Sequence, residues 1–157
     1  MRAATSWSTE ALPEVAVEQA WTTLVQRLGG EPDLVFLYAS ATYEAKALMK
    51  TFRALAPQVP LHGGTSCLGV MTEEGFHSQE GRGLGMLGLW DPEGAYGVGA
   101  ASIEGRPRQG AAMAVQQALE HAGRSGELPS LLWLTAAPGY EEELLAGIEE
   151  MVGPNVP

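Results

Sequence analysis

The sequence predicts a mixed α/β fold, in which parallel βαβ units and antiparallel glycine-rich strands share a mixed sheet flanked by helices. Three features predict this class: amphipathic helical patterns, short apolar runs between them, and a central region where glycine-rich apolar stretches are separated by turn residues. Apolar runs that alternate with helical patterns are typical of parallel strands buried on both faces. The antiparallel part follows from the closely spaced stretches in the middle of the chain.

The first third of the chain predicts a parallel βαβ unit. Leu12–Leu28 has apolar residues at three- and four-residue spacing and is followed by Gly29-Gly30, which indicates an amphipathic helix. Leu34–Ala39 is a continuous apolar run and predicts a buried strand. A helix over Tyr43–Leu55 and a strand over Val59–Gly63 follow. Two strands joined through a helix form a right-handed parallel unit.

The rest of the chain predicts antiparallel strands and then another strand between two helices. The turn Asp91–Gly94 joins two of the strands. Glycine weakens a strand, so the glycines here indicate bulges or close backbone packing. The predicted elements are strands over Gly69–Thr72, Gly83–Trp90, Tyr96–Ser102 and Leu131–Ala136, and helices over Gln109–Ala122 and Tyr140–Val152.

Residues 32–60 and 129–157 align without a gap at an offset of 97, with ten of 29 positions identical. The alignment pairs Tyr43 with Tyr140 and Leu48 with Leu145. Two interpretations remain open: a duplicated half-domain, or two βα units that obey the same packing rules. The first copy continues into a glycine-rich strand. We therefore expect residues 1–157 to form a single domain that ends before its last strand.

Charge and cysteine content exclude several classes of function. The net charge is −10, from 19 acidic and 9 basic residues, which disfavours binding to nucleic acid or to anionic lipid. The single cysteine and three scattered histidines predict neither a disulfide nor a metal site, and no cofactor is expected. The first residues contain no apolar core long enough for a signal peptide, and no apolar run approaches the roughly 20 residues of a membrane span. We expect a soluble, cytoplasmic protein.

Small and hydroxyl-bearing residues follow the two parallel strands, where α/β sheets bind ligands. The first set, Ser40, Thr42 and Tyr43, follows one strand, and Gly63, Gly64, Thr65, Ser66 and Cys67 end the next. Hydroxyl groups and exposed amides suit a small molecule with a carboxylate. Hydroxyls before a helix also serve as helix caps, and this alternative stays open for Thr42.

Two other functions are possible. Cys67 would be a nucleophile of a thiol-dependent enzyme if a base lowered its thiol pKa, although a lone cysteine is more often a small buried side chain. No Gly-x-Ser-x-Gly elbow surrounds Ser66 and no partner base is evident. Alternatively, the acidic last helix and an open sheet edge would dock a protein partner.

The segment His62-Gly-Gly-Thr-Ser-Cys-Leu-Gly-Val-Met-Thr-Glu-Glu-Gly-Phe-His77 resembles the glycine-rich signature of the N-terminal FIST domain. Pro32-Asp-Leu-Val-Phe-Leu-Tyr with Tyr43 is similar to the first strand and helix of that family. Asp91-Pro-Glu-Gly-Ala-Tyr-Gly-Val-Gly99 is similar to its hairpin, and the opening helix, led by Ser-Thr-Glu, fits as well.

The resemblance implies a sensory input module of signal-transduction proteins, proposed to bind small ligands such as amino acids, without catalytic residues. It also implies partners: a further C-terminal FIST region or an output domain, which members of the family normally carry. No ligand contacts are carried over from the family, so the site residues named above rest on the strand-end argument.

Overall fold

The computed structural model describes all residues, 1–157, and the chain divides into two compact units, Met1–Gly94 and Ala95–Pro157. The single domain expected over 1–157 stays a prediction. The elements of the first unit are β1 Arg2–Ser8, α1 Pro13–Leu28, β2 Leu34–Ser40, α2 Ala45–Leu55, β3 Leu61–Ser66, β4 Val70–Thr72, β5 Gly75–His77 and β6 Leu84–Trp90. Those of the second unit are α3 Pro107–His121 and α4 Glu141–Val152.

The first unit is built on a four-stranded mixed sheet with the order β1-β6-β2-β3. β2 and β3 are parallel and are joined through α2, which confirms the predicted βαβ unit. β6 lies antiparallel between β1 and β2. A second sheet consists of the β4–β5 hairpin. The mixed α/β class predicted from the sequence is therefore confirmed.

Two glycines of β6 let neighbouring layers approach the sheet from opposite sides. A Cβ atom on Gly88 would lie 2.9 Å from Leu28 Cδ1 and 3.0 Å from Leu24 Cδ2, both on α1. A Cβ atom on Gly85 would lie 3.2 Å from Val70 Cγ2 of the hairpin. Residues three apart on a strand face opposite sides. α1 therefore packs on one face of β6, and the β4–β5 hairpin packs on the other.

Polar and aromatic contacts hold the hairpin against β1. Trp7 stacks on His77 with 3.9 Å between the ring centroids, and its Nε1 donates a hydrogen bond of 2.8 Å to Glu74. Glu74 also forms an ion pair of 2.5 Å with Arg27 of α1. The neighbouring carboxylate, Glu73, accepts a hydrogen bond from the hydroxyl of Thr5. The hairpin is thus tied to both the first strand and the first helix.

The main core lies between the sheet and the two helices α1 and α2. Phe52 of α2 is fully buried and meets Trp21 of α1 edge-on, with 5.6 Å between centroids. Glu44 caps α2, because its carboxylate accepts hydrogen bonds from the amides of Lys46 and Ala47. No helix of the chain combines the length and the apolar character that crossing a membrane requires.

Two strands escaped the sequence prediction. β1 reads Arg-Ala-Ala-Thr-Ser-Trp-Ser and has none of the apolar alternation that identifies a strand, because small and hydroxyl residues fill its inner face. β5 has only three residues. The turn Asp91–Gly94 is present, with a hydrogen bond of 2.8 Å from Gly94 N to Asp91 O.

The predicted strands Tyr96–Ser102 and Leu131–Ala136 have no counterpart among the six assigned strands. Apolar periodicity does not specify which neighbour a strand would pair with, so it cannot predict a ladder by itself. In the second unit the extended backbone instead lies directly on α3. Cβ atoms on Gly97 and Gly99 would each fall 1.9 Å from a carbonyl oxygen of α3, so both positions require glycine.

The internal repeat shifts by one residue in its helices. α2 begins at Ala45 and α4 at Glu141, an offset of 96. The buried counterpart of Leu48 is accordingly Leu144, whereas the Leu145 of the gapless alignment is 56% exposed. Tyr43 is buried and Tyr140 is 43% exposed, so the two tyrosines do not hold equivalent positions, contrary to the alignment.

Replacing Phe52 with Ala should lower the free energy of unfolding by about 3–5 kcal/mol, because a fully buried ring and its contact with Trp21 are lost. Met49→Ala on the same helix is the control. Its side chain is 41% exposed, and we expect a change within about 0.5 kcal/mol. Urea denaturation measures both. Equal losses in the free energy of unfolding would contradict the finding that α2 buries Phe52 and exposes Met49.

Acid should loosen the hairpin before the rest of the first unit. Hydrogen bonds from Trp7 and Arg27 hold the pKa of Glu74 below its ordinary value of 4.5, and the hydroxyl of Thr5 does the same for Glu73. A carboxyl whose pKa is lower in the folded state stabilises it above the unfolded pKa and loses this contribution as the pH falls through the folded one. The protection factors of the amides in residues 70–77, each measured against the intrinsic exchange rate at the same pH, should therefore fall below about pH 4.5.

The Glu74→Gln variant keeps an acceptor for Trp7 but removes the charge. Hairpin amides should therefore exchange faster than in the unmodified protein at neutral pH, and their protection factors should change less on acidification. Glu18→Gln, on the exposed surface of α1, is the control and should match the unmodified protein. Hairpin protection factors that are independent of pH between 3 and 7 in the unmodified protein would refute this role of the two carboxylates.

Candidate functional site

The carboxyl ends of the parallel strands β2 and β3 lie side by side, as the sequence predicts for a ligand site. Ser40 and Ser66 are partners in the register of the two strands. The amide of Ala41 donates a hydrogen bond of 3.1 Å to the carbonyl of Ser66, so the two loops leave the sheet together. Such strand ends are the usual location of binding sites in α/β sheets.

A third loop, the turn before β6, joins these two. Ser40 Oγ donates to the carbonyl of Gly83 at 3.2 Å, and Thr42 Oγ1 donates to that of Gly81 at 3.1 Å. A Cβ atom on Gly81 would lie 3.2 Å from Leu68, which follows β3. Loops 40–43, 66–68 and 79–83 therefore meet at one end of the sheet. We call this region the three-loop site.

Each side chain of the first predicted set makes an internal hydrogen bond. Thr42 bonds the neighbouring loop and does not cap α2, since the capping residue is Glu44. Tyr43 is buried, and its hydroxyl donates to the carbonyl of Glu10 at 2.7 Å. Burial raises the pKa of Tyr43, and the positive charge of Arg82 partly opposes that shift. Ser40, Thr42 and Tyr43 thus hold the site together, and direct ligand contact by them stays a prediction.

The second predicted set is more accessible. Gly63, Gly64 and Thr65 are exposed, and Ser66 is half-buried with a buried Oγ that has no hydrogen-bond partner. A Cβ atom on Gly63 would lie only 1.8 Å from the carbonyl oxygen of Leu37. Glycine is therefore required at 63 for β3 to pair with β2. Ligand contact by this set also remains a prediction.

Cys67 is exposed, which overturns the expectation that a lone cysteine is a small buried side chain. None of the hydrogen bonds involves its thiol, so no base is positioned to activate it. His62 and His77 lie on strands β3 and β5, and burial lowers the pKa of His62. No group of three or more His, Cys, Asp and Glu residues could hold a metal ion.

The turn that completes the three-loop site has an unusual backbone. Gln79 and Arg82 exchange two backbone hydrogen bonds of 2.9 Å, and the residues between them, Glu80 and Gly81, have φ values of 51° and 76°. Positive φ at both central positions defines a type I′ turn, which favours Asn-Gly. Glu80 is the only non-glycine residue of the chain with positive φ.

Glu80 and Arg82 place opposite charges at this site. The Glu80 carboxylate lies 2.5 Å from Arg82 Nη2, and the two side chains are 75% and 25% exposed. Arg82 Nε is buried without a hydrogen-bond partner. Neither residue is among those predicted from the sequence. Glu80-Gly81 before an apolar strand was the one available signal, but glutamate is an atypical residue for that turn.

Comparison with known families identifies the chain. The profile of the FIST N domain matches residues 33–157. The chain belongs to this family. No curated protein matches the sequence. The FIST N domain is a module of sensory and signal-transduction proteins.

The matched region of the FIST N domain contains all three loops of the site but not β1 or α1. β1 nevertheless pairs with β6 along its whole length, from Arg2 with Trp90 to Ser8 with Leu84. The helix α1 supplies Leu24 and Leu28 to the core. Residues 2–28 are therefore a structural part of the same unit, and experiments on the site require them.

Replacing Glu80 with Asn should raise the free energy of unfolding by up to about 1 kcal/mol, because asparagine tolerates positive φ better than glutamate. The loss of a partly exposed ion pair with Arg82 offsets little of this gain. Glu93→Asn, in a turn without positive φ at that residue, is the control and should not stabilise. Urea denaturation compares the variants, and a destabilised Glu80→Asn protein would show that Glu80 is not strained.

Proposed function

We propose that this FIST N domain is a sensory input module that binds a small metabolite, such as an amino acid, at the three-loop site and catalyses no reaction. The observation that carries the proposal is the meeting of three loops at the carboxyl ends of parallel strands, with Gly63, Gly64, Thr65 and Cys67 exposed beside them. The family, a sensory one, supports the same function.

The internal hydrogen bonds of the loops support binding. Ser40, Thr42 and Tyr43 tie the loops to one another and to the preceding segment, so the site is preorganised and little ordering accompanies binding. Exposed backbone at Gly63 and Gly64 gives a ligand direct access to main-chain groups. As a sensory module, the domain would pass the bound state on to a further FIST region or an output partner.

A thiol-dependent enzyme is the second candidate, and only the exposure of Cys67 favours it. Catalysis also requires a base within hydrogen-bond reach of the thiol, because the thiolate is the nucleophile. No hydrogen bond of this kind involves Cys67. We therefore place Cys67 at the rim of a binding site and assign it no chemical step.

Thermal-shift measurements against the twenty common L-amino acids, followed by calorimetric titration of those that stabilise, test the proposal. A ligand at 100 times its dissociation constant should stabilise the protein by about 2.7 kcal/mol and raise its melting temperature by several degrees. Cys67→Ser should bind with unchanged affinity. Thr65→Trp, which places a bulky side chain at the exposed end of β3, should weaken binding without changing the fold.

Three results would count against this proposal. The absence of stabilisation by any of the twenty compounds would remove the proposed ligand class. Turnover of a thioester or ester substrate that disappears in Cys67→Ser would favour the enzyme. Binding that survives Thr65→Trp would place the ligand away from the three-loop site.

A further inference from the structure

We infer that Glu80 and Arg82 recognise the charged head group of an α-amino acid, with Arg82 binding its carboxylate and Glu80 its ammonium group. This inference rests on the proposed function and names the groups that would select the ligand. It starts from the type I′ turn, which places the two side chains at the three-loop site and pairs them at 2.5 Å.

The backbone of Glu80 is strained. A non-glycine residue with positive φ is held in a conformation that is costly for a side chain without a short polar group. Asparagine or glycine would form the same turn at lower cost. An exposed ion pair contributes little to stability and does not compensate for this strain. The carboxylate at position 80 therefore needs another explanation than folding, and ligand recognition supplies one.

The guanidinium of Arg82 is incompletely hydrogen-bonded. Its guanidinium pairs with Glu80 through Nη2, while Nε is buried without a partner and the side chain as a whole is one quarter exposed. Arginine binds carboxylates through two parallel hydrogen bonds when two of its nitrogens are available. A single contact to one carboxylate leaves this capacity unused. The buried Nε is not accessible to a ligand, so a ligand carboxylate would reach the exposed side of the guanidinium by displacing Glu80 from Nη2.

The charges of Glu80 and Arg82 are complementary to those of a zwitterion. The chain carries a net charge of −10, which repels simple anions, yet Arg82 lies next to the loops at the ends of β2 and β3. The charge of Arg82 acts to lower the pKa of Tyr43, which belongs to the same site. A zwitterion has no net charge and satisfies both members of the pair at once. When it binds, the Glu80–Arg82 contact is replaced by two contacts of the same type.

Titration of the unmodified protein with an amino acid and with its carboxamide gives the first measurement. The probe is whichever of the twenty common L-amino acids stabilises the protein most, and its amide keeps the ammonium group but lacks the carboxylate. We expect the amide to bind at least about tenfold more weakly, since hydrogen bonds between charged groups are the strong ones. The corresponding carboxylic acid without the amino group should be weakened similarly.

Variants of the pair give the second measurement. Arg82→Gln should lower the affinity for the amino acid at least about tenfold, so that the amino acid and its carboxamide bind with nearly equal affinity. The ratio of these two affinities is called the acid-to-amide ratio below. Glu80→Gln should do the same for the amino acid and its deamino analogue. Arg82→Lys keeps the charge but not the planar fork, so its affinity for the amino acid should lie between those of the unmodified protein and Arg82→Gln. If a residue of the pair had only a structural role, its substitution would weaken the binding of both ligands equally and leave the ratio of their affinities unchanged.

Arg124→Gln is the matched control. Arg124 pairs with Glu127 at 3.6 Å, its side chain is 53% exposed, and it lies in the second unit. Its affinity and its acid-to-amide ratio should equal those of the unmodified protein. Circular dichroism and melting temperature verify that each variant is folded, and the ligand series on the unmodified protein tests the inference even where a variant is not.

The outcomes separate the inference from the function beneath it. If the unmodified protein binds no amino acid, the inference and the proposed ligand class are both refuted. If it binds one with an unchanged acid-to-amide ratio in Arg82→Gln, the head-group role of the pair is overturned and the binding function stands. If the unmodified protein binds acid and amide equally, Arg82 does not contact the carboxylate, and the inference is again overturned.

Discussion

The structure of the first unit depends on the insertion of β6 between β1 and β2. Both pairings are antiparallel, so one strand connects the N-terminal strand to the parallel βαβ unit. The insertion is sterically possible because Gly88 admits α1 on one face and Gly85 admits the hairpin on the other. It also fixes the site, since the segment that enters β6 must pass the carboxyl end of β2, where it receives hydrogen bonds from Ser40 and Thr42.

Elements with their own periodicity could be predicted from the sequence, and those defined by a neighbour could not. The helices α1 and α2, the strands β2 and β6, and the mixed sheet follow from apolar spacing that local packing preserves. β1 is a strand only because β6 pairs with it, since its own residues show no alternation. The same limit explains Tyr96–Ser102 and Leu131–Ala136, where an apolar pattern is present but no assigned ladder matches it.

The position of the candidate site could be predicted from the sequence, but the contacts that build it could not. The ends of β2 and β3 carry the small and hydroxyl residues that the βαβ rule indicates, and the structure brings them together. The roles of Ser40 and Thr42 depend on the carbonyls of a loop some forty residues later, which sequence spacing does not reveal. Glu80 and Arg82 were missed for a related reason: their pairing requires a type I′ backbone that the dipeptide Glu-Gly indicates only weakly.

If the three-loop site binds a metabolite as proposed, the charge of the protein restricts which kind it takes. The chain carries nineteen acidic residues against nine basic ones, so a ligand with two or more negative charges approaches against the net charge of the protein. A purely cationic ligand would be attracted everywhere on such a surface and would gain little selectivity from Glu80. A zwitterion experiences no net force at a distance and acquires its affinity only where both charges are matched at close range. In the proposed head-group recognition, the opposite charges of one strained turn would make this distinction, because neither charge alone distinguishes the site from the rest of the surface.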